Sequence, residues 1–444
     1  MLPIWEKERQ IVQLVESSQV CIIVGQTGSG KSTQVPQIMY KYSLNKGYKI
    51  ACTQPRRIAA TSLASRVSQE MNDDTLVGYS VRFDTKDSQE TIIKYMTDGM
   101  LVKEASKDNL LLEYSIIILD ECHERSLNSD ILFGIIKNIL LIRNGKNSKF
   151  ENLKIIIMSA TMNTSIFRNY FDQAQIVFVK GKTYPLKIYF SKKKILDYLS
   201  AATKLIFKIH RLAPIKENIL CFLTGQEEIE IALKSLKKLF TKENLENFIL
   251  LPLYANLSTA EQKKCFMKFD GKRKIIIATN IAETSLTIPN IVHVVDSGRM
   301  KTKSYTAAKG IEQLSIEMIS KAQVRQRSGR AGRNCPGFCY RLFNKFQFKE
   351  MDKFPTAEIF RMPLSSVLMQ ILAAGVENIN NFKFIESPRS KHIEETLKFL
   401  QIYKLVLKSE GNQFLTKLGK FVNQFPVSPE IGLSIFISTK LGCL

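Results

Sequence analysis

The stretch Val20-Cys21-Ile22-Ile23-Val24-Gly25-Gln26-Thr27-Gly28-Ser29-Gly30-Lys31-Ser32-Thr33 decides how the rest of the chain is read. Its apolar run reads as a strand buried on both faces. The next eight residues fit G-x-x-x-x-G-K-S, and the helical pattern Ser32–Tyr42 follows directly. Gly25, Gly28 and Gly30 let the backbone curl, so that successive N–H groups, with those of Gln26, Thr27, Ser29 and Thr33 nearby, point at a phosphate. The helix N-terminus adds its dipole. Lys31 is expected at the β- and γ-phosphates of a nucleotide, and the Ser32 hydroxyl on Mg²⁺.

Working outward, the same alternation recurs. Lys49–Thr53, Ser115–Leu119 and Lys154–Met158 read as further buried parallel strands, separated by helical patterns at Arg57–Glu70 and Leu127–Ile142. A second set follows residue 180. Its strands are Asn218–Leu223, Phe248–Leu253, Lys274–Thr279 and Ile291–Asp296, and its helices Gln226–Phe240 and Thr259–Lys268. The fold class is therefore α/β, with two tandem doubly wound parallel-sheet domains, 1–180 and 181–345, joined near Gly181–Pro185. Beyond Phe346 the pattern turns helical, at Pro355–Gly375 and Lys391–Val406, with no buried strand between them.

At the end of the strand Ser115–Leu119 stands Asp120-Glu121-Cys122-His123. Two carboxylates there, in a domain that already has a phosphate loop, suggest metal and water handling. Asp120 would hold Mg²⁺, and Glu121 would orient and deprotonate the attacking water. In the second domain Gln326, Arg330 and Arg333 recur at i, i+4 and i+7, so one helix face could present all three.

The chain has 64 Lys and Arg against 41 Asp and Glu, a net charge of +23. Residues 1–180 hold 22 basic and 19 acidic residues (+3), leaving +20 for 181–444. Such a field favours a polyanionic partner, nucleic acid above all. Hydrophobic residues at 45% exclude wholesale disorder. Apolar runs such as Ile116–Leu119 are far short of the ~20 residues that span a bilayer. The N-terminal residues Glu6, Lys7, Glu8 and Arg9 do not resemble a secretory signal. The eight cysteines form neither a disulfide framework nor a zinc site; Cys335 and Cys339 lack a second pair. A reducing compartment is expected, cytosol, nucleus or an equivalent.

The motifs together resemble the DEAH-box (DEAH/RNA-helicase-A-like) helicases of superfamily two. Thr53–Arg57 resembles motif Ia, Thr97–Leu101 motif Ib, Ser159-Ala160-Thr161 motif III, Phe222–Ile229 motif IV, Thr279–Ile288 motif V and Gln326–Arg333 motif VI. Motif II departs from the family letters at Cys122, and its His123 matches. The resemblance implies two RecA-like domains, a winged-helix-like module (346–408) and the start of a ratchet-like bundle (409–444), with no room for an OB-fold. It implies an enzyme, ATP + H₂O giving ADP + phosphate, coupled to RNA translocation, unwinding or remodelling of RNA–protein complexes, in splicing or ribosome biogenesis. It also implies nucleus or nucleolus rather than cytoplasm.

The same resemblance gives catalytic roles to Lys31, Asp120, Glu121, His123, Gln326, Arg330 and Arg333, and coupling roles to Ser159 and Thr161. Arg66 and Phe266 would stack on the two faces of the base, so that other nucleoside triphosphates are accepted. RNA would be gripped through its backbone by Arg56, Arg57, Arg82, Thr97, Asp98, Gly99, Thr224, Gly225, Thr279 and Asn280. The hairpin-like stretch Arg299–Glu317 would wedge strands apart. A monomer is expected, served by an activating protein. Two alternatives stay open: an RNA-binding scaffold without catalysis, and a helicase acting on DNA.

Overall fold

The structure is a computed structural model. It describes all residues except 1, 27, 44–48, 147, 161–163, 182–183, 244, 284–287, 307–310, 334 and 444. Thr27 of the phosphate loop, Thr161 and residues 284–287 of motif V therefore lie outside the described residues. The chain forms two compact units. One comprises Met1–Lys180, Tyr305–Glu312 and Thr356–Leu444, the other Gly181–Ser304 and Gln313–Pro355.

The first unit is built on eight strands: β1 (Val20–Gly25), β2 (Ile50–Gln54), β3 (Val77–Val81), β4 (Asp84–Lys86), β5 (Ile93–Thr97), β6 (Ile116–Leu119), β7 (Lys154–Ser159) and β8 (Gln175–Val179). They lie in the order β4-β3-β5-β2-β6-β7-β1-β8, and all neighbours are parallel except β3 and β4. The central strands are apolar runs because helices cover both faces. Ile22, Ile117, Ile155 and Ile157 pack toward the helix Leu127–Arg143, and Cys21, Ile23, Ile118 and Ile156 toward the opposite layer. Strands β3, β4, β5 and β8 were not among those read from sequence. They are short and carry polar residues such as Ser80, Lys94 and Gln175 that break the apolar run.

Residues 356–444 close one side of this unit. Val367, Leu368 and Ile371 share a core with Ile131, Ile135 and Phe133. The expected helix Pro355–Gly375 is instead a 3-10 turn, Glu358–Phe360, and a helix, Leu364–Ala373. Pro363 separates them, since its ring disfavours a helical residue before it. The second expected helix is Ser390–Ile402, and Val406 already belongs to an antiparallel ribbon, β17 (Val406–Ser409) and β18 (Asn412–Leu415). Val422 and Leu433 join the common core, while Phe414 and Phe421 remain exposed.

In the second unit, β9 (Leu186–Phe190), β10 (Asn218–Phe222), β11 (Phe248–Leu253), β12 (Arg273–Ala278), β13 (Ile291–Asp296) and β16 (Gly337–Arg341) form an all-parallel sheet, in the order β11-β12-β10-β13-β16-β9. β14 (Arg299–Thr306) and β15 (Ile311–Met318) make a separate two-stranded ribbon where Arg299–Glu317 was read as a hairpin. Both units are parallel-sheet α/β cores of the RecA-like kind.

Candidate active site

The phosphate loop leaves the C-terminal end of β1. Gly28 and Gly30 take φ values of 88° and 94°, which L side chains rarely adopt. A Cβ on Gly25 would stand 2.9 Å from Ser29 Oγ and 3.1 Å from Val179 Cβ. The loop closes on Lys31, first residue of the helix Lys31–Ser43. Its ammonium donates to the carbonyls of Gly25 and, at 3.2 Å, Gln26. Tyr95 donates to Ser32 O at 2.8 Å from beneath. The Ser29 hydroxyl is buried with no partner among the described residues.

Strand β7 separates β1 from β6 and ends at Ser159, so motifs I, III and II leave the sheet side by side. Asp120 is buried. Its Oδ2 accepts from Gln54 Nε2 at 2.6 Å and its Oδ1 from Glu121 N at 2.8 Å. Burial, and Glu121 next to it, push the Asp120 carboxyl up to about 6, against the Lys31 charge and the hydroxyl of Ser32. Ser32, Lys31, Asp120 and Glu121 are thus gathered at one end of the sheet.

Glu121 and Arg125 both sit in the left-handed region, at φ 53° and 51°, and bracket the short turn Cys122–Glu124. A non-glycine residue pays roughly 1–2 kcal/mol for this conformation. Cys122 is buried and donates to Leu119 O at 3.0 Å. Burial pushes its thiol well up, so it fills space without reacting. Burial likewise drives His123 down to about 4, helped by Lys31 and Arg56 and opposed by Glu124 and Asp120. Its neutral ring accepts from Ala160 N at Nδ1, 3.4 Å away, which ties motif II to motif III. The 3.4 Å approach of Glu121 to the same nitrogen is therefore no ion pair.

Arg66 lies on the helix Arg57–Met71 and holds Glu70 at 2.6 Å, while Gln34 and Gln37 of the phosphate-loop helix hold the same carboxylate at 2.7 and 2.8 Å. Burial would raise the Glu70 carboxyl, but these three donors more than offset it and keep it below its ordinary value.

The residues expected at RNA fall at the ends of neighbouring strands. β3, β5 and β2 are adjacent; Arg82 follows the first, Thr97 ends the second with Asp98 and Gly99 after it, and Arg56 and Arg57 follow the third. Arg57 is exposed; Arg56 pairs with Glu124 at 3.2 Å. Arg82 lies over the ring of Phe83, which is 88% exposed at the tip of the β3–β4 turn. Asp98 is turned inward and accepts from Ser126 at 3.3 Å, and burial pushes its carboxyl up to about 7. Its side chain is therefore buried at the start of the helix Asp98–Ala105 and not offered to solvent.

In the second unit β10 and β12 are likewise adjacent, ending before Thr224 and Gly225 and before Thr279 and Asn280. Thr224 N is engaged by Glu228 at 3.0 Å, and the Lys301 side chain lies against Gly225. The helix carrying Gln326 spans only Lys321–Ser328. Arg330 and Arg333 follow it in the next turn, so the expected common helix face is not formed. Arg330 is instead buried and clasps the carbonyl of Glu283. The helix Thr259–Lys264 also ends early, and Phe266 stands half-buried in the turn after it.

Several residues escaped the sequence reading. Arg327 is fully buried; it reaches Glu283 at 3.1 Å, Asp296 at 3.0 Å and the face of Phe222, and so ties motif VI to motifs V and IV. Gln54 lies inside the quoted motif Ia, and its amide joins that motif to Asp120. Arg125 has no signal beyond its place two residues after His123.

Residues 6–168 match the family described as DEAD/DEAH box helicase, and residues 198–335 match the helicase conserved C-terminal domain. Over all of this chain, the ATP-dependent RNA helicase DHX33 of Mus musculus is 41% identical across 447 aligned residues, as is that of Homo sapiens. The protein of that name from Drosophila melanogaster is 40% identical across 452 residues.

The chain carries the two conserved domains of a DEAD/DEAH box helicase.

It spans 64%, 63% and 64% of the lengths of those three relatives. The DEAD/DEAH box match, residues 6–168, takes in β1, β7 and β6 and the loops that follow them. Among the described residues no cluster of three or more His, Cys, Asp or Glu could hold a metal ion by itself, and no helix is long and apolar enough to cross a membrane.

Proposed function

We propose that the chain is the motor of an ATP-dependent RNA helicase. The observation that carries this is the gathering of Lys31, Ser32, Asp120 and Glu121 beside a phosphate loop whose lysine rests on its own loop carbonyls, where a phosphate would engage it. The orphan hydroxyl of Ser29 and the hard oxygens of Ser32 and Asp120 suit a nucleotide with Mg²⁺. Magnesium takes one or two protein oxygens together with phosphates and waters, so no cage of carboxylates is needed. When bound there it would supply charge neutralisation at the phosphates. Lys31 binds phosphate, and Glu121 takes the proton of the attacking water. His123, held neutral, links that glutamate's turn to Ser159-Ala160. Arg330 and Arg333 supply positive charge and Gln326 a neutral amide, in the roles that the family resemblance assigns to them.

RNA is held through its backbone by the loops after β3, β5 and β2 and after β10 and β12, which explains a grip without sequence preference. Arg66 and Phe266 offer planes and no base-edge hydrogen bonds, so GTP and CTP should be hydrolysed within about tenfold of ATP, ~1.4 kcal/mol of discrimination. Work on ribonucleoprotein complexes in splicing or ribosome assembly, an activating protein partner, a monomeric state and a nuclear or nucleolar address belong to the same proposal, supported by the resemblance and the basic charge. Measuring Mg²⁺-dependent ATP hydrolysis with and without single-stranded RNA and DNA tests the core of it. Stimulation by RNA is the expected result; no hydrolysis would favour a scaffold, and equal stimulation by DNA would overturn the choice of nucleic acid.

A further inference from the structure

Arg125 stands four residues beyond Glu121 and has no role in the site described so far. We propose that it is a positioning residue for Glu121, gripped by residues 358–386 so that the turn carrying the glutamate keeps the shape that hydrolysis needs. The proposal rests on the reading of Glu121 as the base for water.

The grip is specific in its chemistry. Arg125 presents its fork to Asp130, Nε to Oδ1 at 2.7 Å and Nη2 to Oδ2 at 2.9 Å, and its remaining nitrogen reaches Glu386 Oε2 at 2.7 Å. Two parallel bonds to one carboxylate fix a guanidinium in angle as well as distance. The backbone is held too. Arg125 O accepts from Glu358 N at 3.2 Å, and the Glu358 carboxylate accepts from Leu127 N at 2.9 Å. Segment 358–386 thus holds the end of the turn by side chain and main chain together.

The turn itself is one unit. Glu124 N bonds to Glu121 O at 3.0 Å and Arg125 N to Cys122 O at 3.3 Å. Its two ends, Glu121 and Arg125, both have left-handed backbones. Such conformations persist where the surroundings over-determine them. Asp120 and His123 brace the Glu121 end, and the Arg125 cluster braces the other. Slackening that cluster lets the far end of the turn relax and re-aims the carboxylate, while the phosphate loop, on a different strand, is untouched.

The test uses Glu386→Gln, which removes one charge from a side chain that is 44% exposed and leaves Asp130 in place, and Arg125→Lys, which keeps charge but loses the fork. Hydrogen exchange at the amides of 124 and 125 and single-turnover ATP hydrolysis are read for both, with nucleotide affinity and thermal midpoint. Exchange in the turn should speed up in both variants. The hydrolysis rate should fall about tenfold or more in Arg125→Lys and about threefold in Glu386→Gln, with nucleotide affinity and thermal midpoint held. Unchanged exchange in the turn, or losses of rate, affinity and melting point in parallel, would overturn the positioning role. If the parent chain hydrolyses nothing, the functional reading fails by itself, and the exchange measurement still decides whether the cluster holds the turn.

Discussion

Lys31 and Glu121 divide the labour at the phosphates, one as a charge and one as a base, so their variants should fail differently. Lys31→Ala should weaken nucleotide binding roughly 10–100-fold, the worth of a charge-assisted hydrogen bond of about 1.5–3 kcal/mol. Glu121→Gln should keep nucleotide affinity and lose turnover by roughly 10²–10⁴-fold. Nucleotide titration beside steady-state hydrolysis separates the two, and hydrolysis at the parent rate by Glu121→Gln would remove it as the base. Asp98 gives a prediction in pH. Its carboxyl is raised from 3.8 to about 7, chiefly by burial. Between those values the folded state holds a proton that the unfolded state has lost, so this contribution is present at low pH and is lost as pH rises. Asp98→Asn removes that dependence. The variant's stability relative to the parent should climb from about pH 4 and level off above about pH 7. A flat difference in urea midpoints over that range would show that Asp98 is not held protonated.

At the scale of elements, the packing of the segment after residue 356 on the helix Leu127–Arg143 depends on one absent side chain. The ring of Phe382 rests on Gly134 of the helix Leu127–Arg143, where an added Cβ would stand 2.1 Å from Phe382 Cζ. Because neither helix backbone nor a buried ring can yield that much, Gly134→Ala should cost about 1–3 kcal/mol, the usual range for overpacking. Phe382→Leu in the same chain should return part of it, since the smaller side chain makes room. Urea denaturation of the two single variants and the double variant measures the coupling. Strictly additive losses would mean that the contact is not the cause.

For the molecule as a whole, charge is the property with the widest reach. The net charge beyond residue 180 is +20. RNA affinity should therefore fall steeply with salt and vary little with sequence. Four or five phosphate contacts at about −0.7 each give a log–log slope near −3. Filter binding of unrelated single strands over a salt series checks both halves of the statement. A shallow slope, or strong preference for one strand, would point to base recognition instead.

What the chain's letters determined by themselves is local. Short runs such as Ile116–Leu119, apolar at every position, suit strands buried on both faces. Gly25, Gly28 and Gly30 before Lys31 specify a loop whose chemistry is written in its backbone. These signals need no partner elsewhere, so they are legible from one segment at a time. The tertiary structure decided whatever depends on which segments meet. Polar breaks hid β3, β5 and β8 until neighbouring strands supplied their hydrogen bonds. The helix bearing Gln326 stops at Ser328, and the buried carbonyl of Glu283 and the carboxylates around Arg327 draw the arginines inward, which no 3.6-residue period can foresee. Arg125 became more than a letter after motif II only when Asp130 and Glu386, one five residues away and the other 261, were brought to its guanidinium. Buried charges must find partners wherever the fold places them, and that choice is made by packing over distances that a sequence pattern does not span.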